Sequence, residues 1–228
     1  MDKVKFQVIG TPLIKFQSKE RIDSFRKGLI YANRLSYYRK LEQTTGDIEV
    51  GDSYEAMLHL NEAYIHSQDT GETVHIVDGL IPTTHSDDYI FCMFGIYPKL
   101  DDFSFSKEQK EKMLSFGDTA LIIKDSEKFI RRVKSAAEKK GYKCKFKAVQ
   151  YYDPTYDNGN QIISIMSDMS NIAFWKRDFY KYQQEARFLF TGGDMSLDHL
   201  EIEIGDISDI SEIVPSEMAL TAMVIKQK

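Results

Sequence analysis

Few of the features that usually announce a function are present in this chain of 228 residues. It has two cysteines, Cys92 and Cys144, too few for a disulfide framework at this length, so a reducing compartment is expected. Its five prolines and thirteen glycines are scattered. No linker, repeat or low-complexity tract divides it, and residues 1–228 read as a single domain burying ~70% of the unfolded surface. No apolar run approaches the ~18 residues that a membrane span needs. Met1-Asp2-Lys3-Val4-Lys5-Phe6 lacks the apolar centre of a signal peptide. These absences lead to the expectation of a soluble cytoplasmic protein with no membrane partner.

Chemistry-bearing motifs are also missing. There is no Walker A loop, Cys-x-x-Cys, His-Glu-x-x-His or Gly-x-Ser-x-Gly, and no Gly-rich strand-to-helix turn of a dinucleotide fold. His85-Ser86-Asp87-Asp88 gathers nitrogen and oxygen donors, but such polar clusters are ordinarily solvated turns, so no metal site is expected there. Cys92 sits in the apolar run Ile90–Phe94 and reads as a buried, inert thiol.

The net charge of -5 is unevenly spread. Residues 124–147 carry ten Lys/Arg against three Asp/Glu, whereas Phe188–Ile225 has no Lys or Arg. A nucleic-acid binder usually shows one dominant basic surface. Here a basic and an acidic stretch can neutralise each other, so strong nucleic-acid binding is not expected. The lysine face of residues 143–147 finds a natural partner in Glu201 and Glu203.

Residues 3–9, 29–31, 72–77, 90–94, 120–123, 142–148, 188–190 and 200–204 alternate or run apolar as strands do. Ile162–Met166 and Ala219–Ile225 are expected to be strands as well. Helices are expected over 18–27, 36–43 and 126–140, the last with Phe129, Ile130, Val133, Ala136 and Ala137 on one face. Met57–Tyr64 and Phe174–Gln184 leave their state open. Clustered rather than alternating elements give an α+β class, with a mixed, largely antiparallel sheet and packed helices.

Two stretches stand out. One is Tyr37-Tyr38-Arg39-Lys40-Leu41-Glu42 followed by Gly51-Asp52-Ser53-Tyr54-Glu55. The other runs from Phe174 and Trp175 through Lys176 and Arg177 to Gln183-Gln184-Glu185-Ala186-Arg187. On a strand Glu185 and Arg187 point the same way, where they either form a structural ion-pair network or line a pocket.

The order of these stretches resembles that of uncharacterised proteins of prophages and abortive-infection loci, over most of the span from Phe25 to Phe190. The helix, Gly28 and Leu29-Ile30-Tyr31, with the late Gln183-Gln184-Glu185, are also similar to ADP-ribosyltransferases. That resemblance implies NAD as cofactor, Glu185 as catalytic carboxylate and Gln183 touching the acceptor. It further implies Arg39 or Arg34 on the phosphates and Tyr37 or Tyr38 on the nicotinamide; Trp175 and Arg187, from the late aromatic and charged stretch itself, are further candidate ligand-binding residues. The alternative it leaves is a non-catalytic binder of a nucleotide signal or of a host or defence protein.

Overall fold

The computed structural model describes residues 4–97, 103–156 and 159–227. Lys3, at the head of the first expected strand, lies outside them. In chain order come β1 (Val4–Val8), β2 (Leu13–Gln17), α1 (Lys19–Arg26), β3 (Leu29–Arg34) and α2 (Leu35–Thr45). Then follow β4 (Met57–His66), β5 (Thr73–Pro82), β6 (Tyr89–Gly95), α3 (Lys107–Met113), β7 (Thr119–Ile123), α4 (Ser126–Lys139) and β8 (Lys143–Ala148). The chain closes with β9 (Gln150–Tyr152), α5 (Gly159–Ser167), β10 (Trp175–Arg177), β11 (Glu185–Thr191), β12 (His199–Glu203), β13 (Ser211–Pro215), α6 (Ser216–Ala222) and β14 (Met223–Gln227). The class is α+β, and no helix among the described residues is long and apolar enough to cross a membrane.

The chain divides into two compact units, one formed by residues 1–34, 89–148 and 182–228, the other by 35–88 and 149–181. The first holds an eight-stranded sheet in which every pairing is antiparallel, and a separate parallel pair, β1 with β14. One face of the sheet carries Leu13, Phe91, Leu121, Phe188 and Phe190, which pack against Ile22 and Phe25 of α1 and Phe129, Val133 and Ala137 of α4. The other carries Ile14, Phe16, Phe94 and Ile122, covered by Met113 of α3, Ala219 and Leu220 of α6, and Phe6 and Val8 of β1.

Local chemistry sets the helix ends. Asp125 caps α4 by accepting from the Lys128 amide. Ser106 and Gln109 close a capping box on α3, a helix the sequence reading did not mark. Gly28 ends α1 at φ +106°, where a Cβ would stand 2.3 Å from the Gly205 carbonyl oxygen, so only glycine fits.

Strand β6 is the junction of the sheet. It gives one edge to β11 and shares the other between β3, at Tyr89 and Ile90, and β2, at Phe94 and Gly95. Between those contacts Lys15 fills the gap. Its ammonium donates to the Cys92 carbonyl at 2.7 Å and lies 4.7 Å from the Phe91 ring centroid.

Three expectations are corrected. Ile162–Met166 lies in α5, where Gln161 and Ile165 are buried one helical turn apart; β-branched residues lower helix propensity only slightly, and packing overrides it. Ala219–Ile225 is divided between α6 and β14. The lysine face of β8 does not meet the glutamates of β12, because β8 pairs with β11 and β12 with β3. The basic stretch is instead neutralised from α4, where Lys128 and Arg132 reach Asp209 at 2.7 and 2.8 Å.

The second unit holds α2, the β4–β5 ribbon, the parallel pair β9–β10 and α5, which packs on a 3-10 segment at Met169–Phe174. Ile165, Ile172, Phe174, Trp175 and Tyr180 are among its buried apolar residues.

Candidate functional site

Parts of the two outstanding stretches meet inside the second unit. Helix α2 presents Tyr37, Tyr38, Arg39 and Glu42 along its length. The loop after it folds back, with the Asp52 amide bonded to the Tyr38 carbonyl at 3.1 Å. Gly51 allows this approach, since a Cβ there would lie 2.5 Å from the Glu42 nitrogen. From the far part of the chain β10 brings Lys176 and Arg177, and the 3-10 segment after it brings Tyr180.

Arg177 is the hub. Its Nε and Nη2 donate to Asp52 Oδ1 at 2.9 and 2.6 Å, and Nη2 also reaches Glu42 Oε2 at 3.3 Å. Its guanidinium lies 4.3 Å from the Tyr54 ring centroid, and Lys176 Nζ lies 4.4 Å from that of Tyr180. Asp52, Glu55 and Lys176 are all buried. Burial pushes the Asp52 carboxyl up, and neighbouring Glu55 adds to it, against the pull of Lys176 and Arg177. Burial works to lower Arg177, but Asp52 and its hydrogen bonds outweigh it and hold the guanidinium up. A largely buried cluster of three carboxylates (Glu42, Asp52, Glu55) and two cations (Lys176, Arg177) is a structural device first, tying the loop of residues 46–56 to β10.

Arg39 is placed differently. Nη1 donates to two backbone carbonyls, those of Glu55 at 2.7 Å and Ser86 at 2.8 Å. Burial lowers its pKa against the opposing fields of Asp87 and Glu55, yet a guanidinium remains charged at any physiological pH. Its Nε and Nη2 make no hydrogen bond among the described residues. The result is a pinned, half-buried fork with one edge left for a planar anion. On the same helix Tyr37 is 44% exposed and meets Tyr38 edge-on at 5.3 Å. The loop His85–Asp88 that supports Arg39 is bonded within itself, His85 Nδ1 to Asp88 Oδ2 at 2.6 Å.

The other expected residues belong to the first unit. Glu185 opens β11 at 7% exposure, and its carboxylate accepts from Arg187 Nε at 2.6 Å, Arg187 being 1% exposed. Gln183 is buried and donates to the Tyr182 hydroxyl at 3.2 Å. Arg34 donates through Nε to the Leu197 carbonyl at 2.8 Å and through Nη2 to that of Met195, with its guanidinium over the Tyr89 ring. Trp175, in the second unit, is buried on β10. The expected site residues therefore divide, with Arg34, Gln183, Glu185 and Arg187 in one unit and Tyr37, Tyr38, Arg39 and Trp175 in the other.

Lys15 carries charge that the sequence reading passed over. Burial lowers its pKa, while the fields of Cys92 and Glu185 oppose that and Arg21 adds to it. A single lysine within Leu13-Ile14-Lys15-Phe16 gives no sign of this role, because alternation places it like any half-exposed residue.

Comparison with family models, with curated proteins and with solved structures gives no match.

Proposed function

We propose that this is a phage- or defence-associated capture protein that binds a nucleotide-type ligand, NAD included, without transferring ADP-ribose from it. The single observation behind this reading is Arg39, whose guanidinium is anchored at Nη1 by the Glu55 and Ser86 carbonyls. Nε and Nη2 then suit two oxygens of a phosphate, and preorganisation lowers the entropy lost on binding. Tyr37, two residues before Arg39 on α2, projects from the opposite side of the helix and takes no part in this grip.

Capture is favoured over transfer by Glu185. Stabilising an oxocarbenium-like state asks for a carboxylate whose charge is directed at the ligand. The charge of Glu185 is already directed at Arg187, 2.6 Å away. The phage–host setting is supported by the order of the sequence motifs alone.

Titration calorimetry with NAD, ADP and inorganic phosphate tests this reading, alongside an assay for nicotinamide release in cell lysate. The expected result is binding of NAD and ADP, weakened at least tenfold by Arg39→Lys, and no nicotinamide released. Lysine keeps the charge and loses the fork. Absence of binding at millimolar ligand overturns the proposal. Nicotinamide release abolished by Glu185→Gln replaces capture with transfer.

A further inference from the structure

The β4–β5 ribbon is a feature that nucleotide capture does not use. Its strands are ten residues long and pair only with each other among the described residues. A lone two-stranded ribbon is marginal in water and gains from a third strand. Its distal half is exposed, with Tyr64 at 66% and Val77 at 68%, and Ile65 and Val74 are exposed too. Tyr64 and Val77 lie on one face and Ile65, Val74 and Leu80 on the other, roughly 250 Å² on each, which is below the largest patch of a typical monomer.

The two outer edges differ. Strand β5 carries Gly79, Pro82 and a positive φ of +52° at Asp78, all devices that blunt an edge against pairing. Strand β4, Met57–His66, has no Lys, Arg, Pro or Gly and no residue of positive φ. Its edge is open.

We propose that the distal part of β4 pairs antiparallel with the same segment of a second copy of this chain, about a two-fold axis at Tyr64. A self-pairing strand must be complementary to its own reversal, and Glu62–His66 is. With Tyr64 on the axis, Glu62 faces His66 of the other copy twice, and Ala63 faces Ile65 twice. Both polar partners keep an atom for the purpose. The Glu62 bonds to Tyr64 and His75 both use Oε1, leaving Oε2. The His66 bond to Thr73 uses Nδ1, leaving Nε2. On the other face Ala63 and Ile65 stand across from Ile76 and Val74, so pairing doubles this apolar strip within a four-stranded sheet. The exposed side chains fall short of the about 800 Å² that each partner gives a standard interface, so the dimer is reversible.

Sedimentation velocity of the full chain across 1–100 µM, a range chosen for a reversible dimer, tests this. The wild type is expected to pass from 26.4 kDa to twice that mass. His66→Glu sets carboxylate against carboxylate, and Glu62→Lys removes the carboxylate acceptor that faces the His66 imidazole; each is expected to weaken the dimer at least tenfold. The double variant E62K/H66E restores opposite charges and is expected to return most of the affinity. Tyr64→Cys is expected to give a disulfide-linked dimer on mild oxidation, with the wild type, whose Cys92 and Cys144 are only partly exposed, as control. All substituted positions are solvent-exposed, so folding is preserved. A monomer throughout the range, a dimer indifferent to His66→Glu, absence of rescue in the double variant, or no crosslink through Tyr64→Cys would each overturn the proposal.

Discussion

Replacing Arg187 by methionine tests how completely the first unit encloses its charges. Methionine fills most of the guanidinium's apolar stem and leaves Glu185 buried without its 2.6 Å partner. Breaking a buried pair from one side typically costs 3–5 kcal/mol. Here the lower end applies, about 3 kcal/mol, because the Lys15 ammonium stays within the field of Glu185. For a chain of this size that corresponds to a fall of about 6–12 °C in Tm. Equilibrium urea unfolding followed by far-ultraviolet circular dichroism measures it directly. Adding Glu185→Gln removes the stranded charge and recovers more than half of the loss. A loss below about 1 kcal/mol, the range of exposed pairs, or no recovery on adding Glu185→Gln, refutes the enclosed-pair argument.

Two further outcomes are expected. Gly28→Ala forces a Cβ to within 2.3 Å of the Gly205 carbonyl at φ +106°, so it lowers stability by more than the ~1 kcal/mol of a left-handed non-glycine residue, measured as a Tm shift. Asp209 is held down to about 2 by hydrogen bonds from Arg132 and Lys128. Its contribution is present above the unfolded value of 3.8 and lost as pH falls through 2, so Asp209→Asn flattens the acid-unfolding curve between those values while leaving the rest of the profile unchanged.

What could be read from the sequence follows the range of the interactions involved. Helix α4 was legible because its stripe, its Asp125 cap and the Gly141 stop are all local. Strands β6, β7, β8 and β12 were legible because alternation or an unbroken apolar run reports how many faces are covered. Helix α5 was read as a strand because Ile162, Ile163 and Ile165 carry a strand-like composition, and packing against Met169–Phe174 decided otherwise. At the candidate site the stretches were legible in the sequence, but the pairing of their charges was not. Glu42 and Asp52 both join Arg177 of β10. No local signal tells which of several carboxylates and guanidiniums in two distant segments will face each other. Nor does composition indicate that Arg34 is spent on the Met195 and Leu197 carbonyls whereas Arg39 keeps an edge.

Strand β6 has a consequence for the order in which the protein can assemble. Its partners come from residues 13–14, 33–34 and 185–190, and the last group leaves the ribosome roughly a hundred residues after β6 itself. Until then one side of Tyr89–Gly95 and the facing side of Lys143–Ala148 stay open, and both await the same insertion, because β11 lies between them. A nascent chain halted before Glu185 carries two unsatisfied strand margins, that of β6 flanked by apolar side chains on both faces. Elongation past that point, rather than collapse of the earlier segments, sets when the polypeptide stops being a client for chaperones.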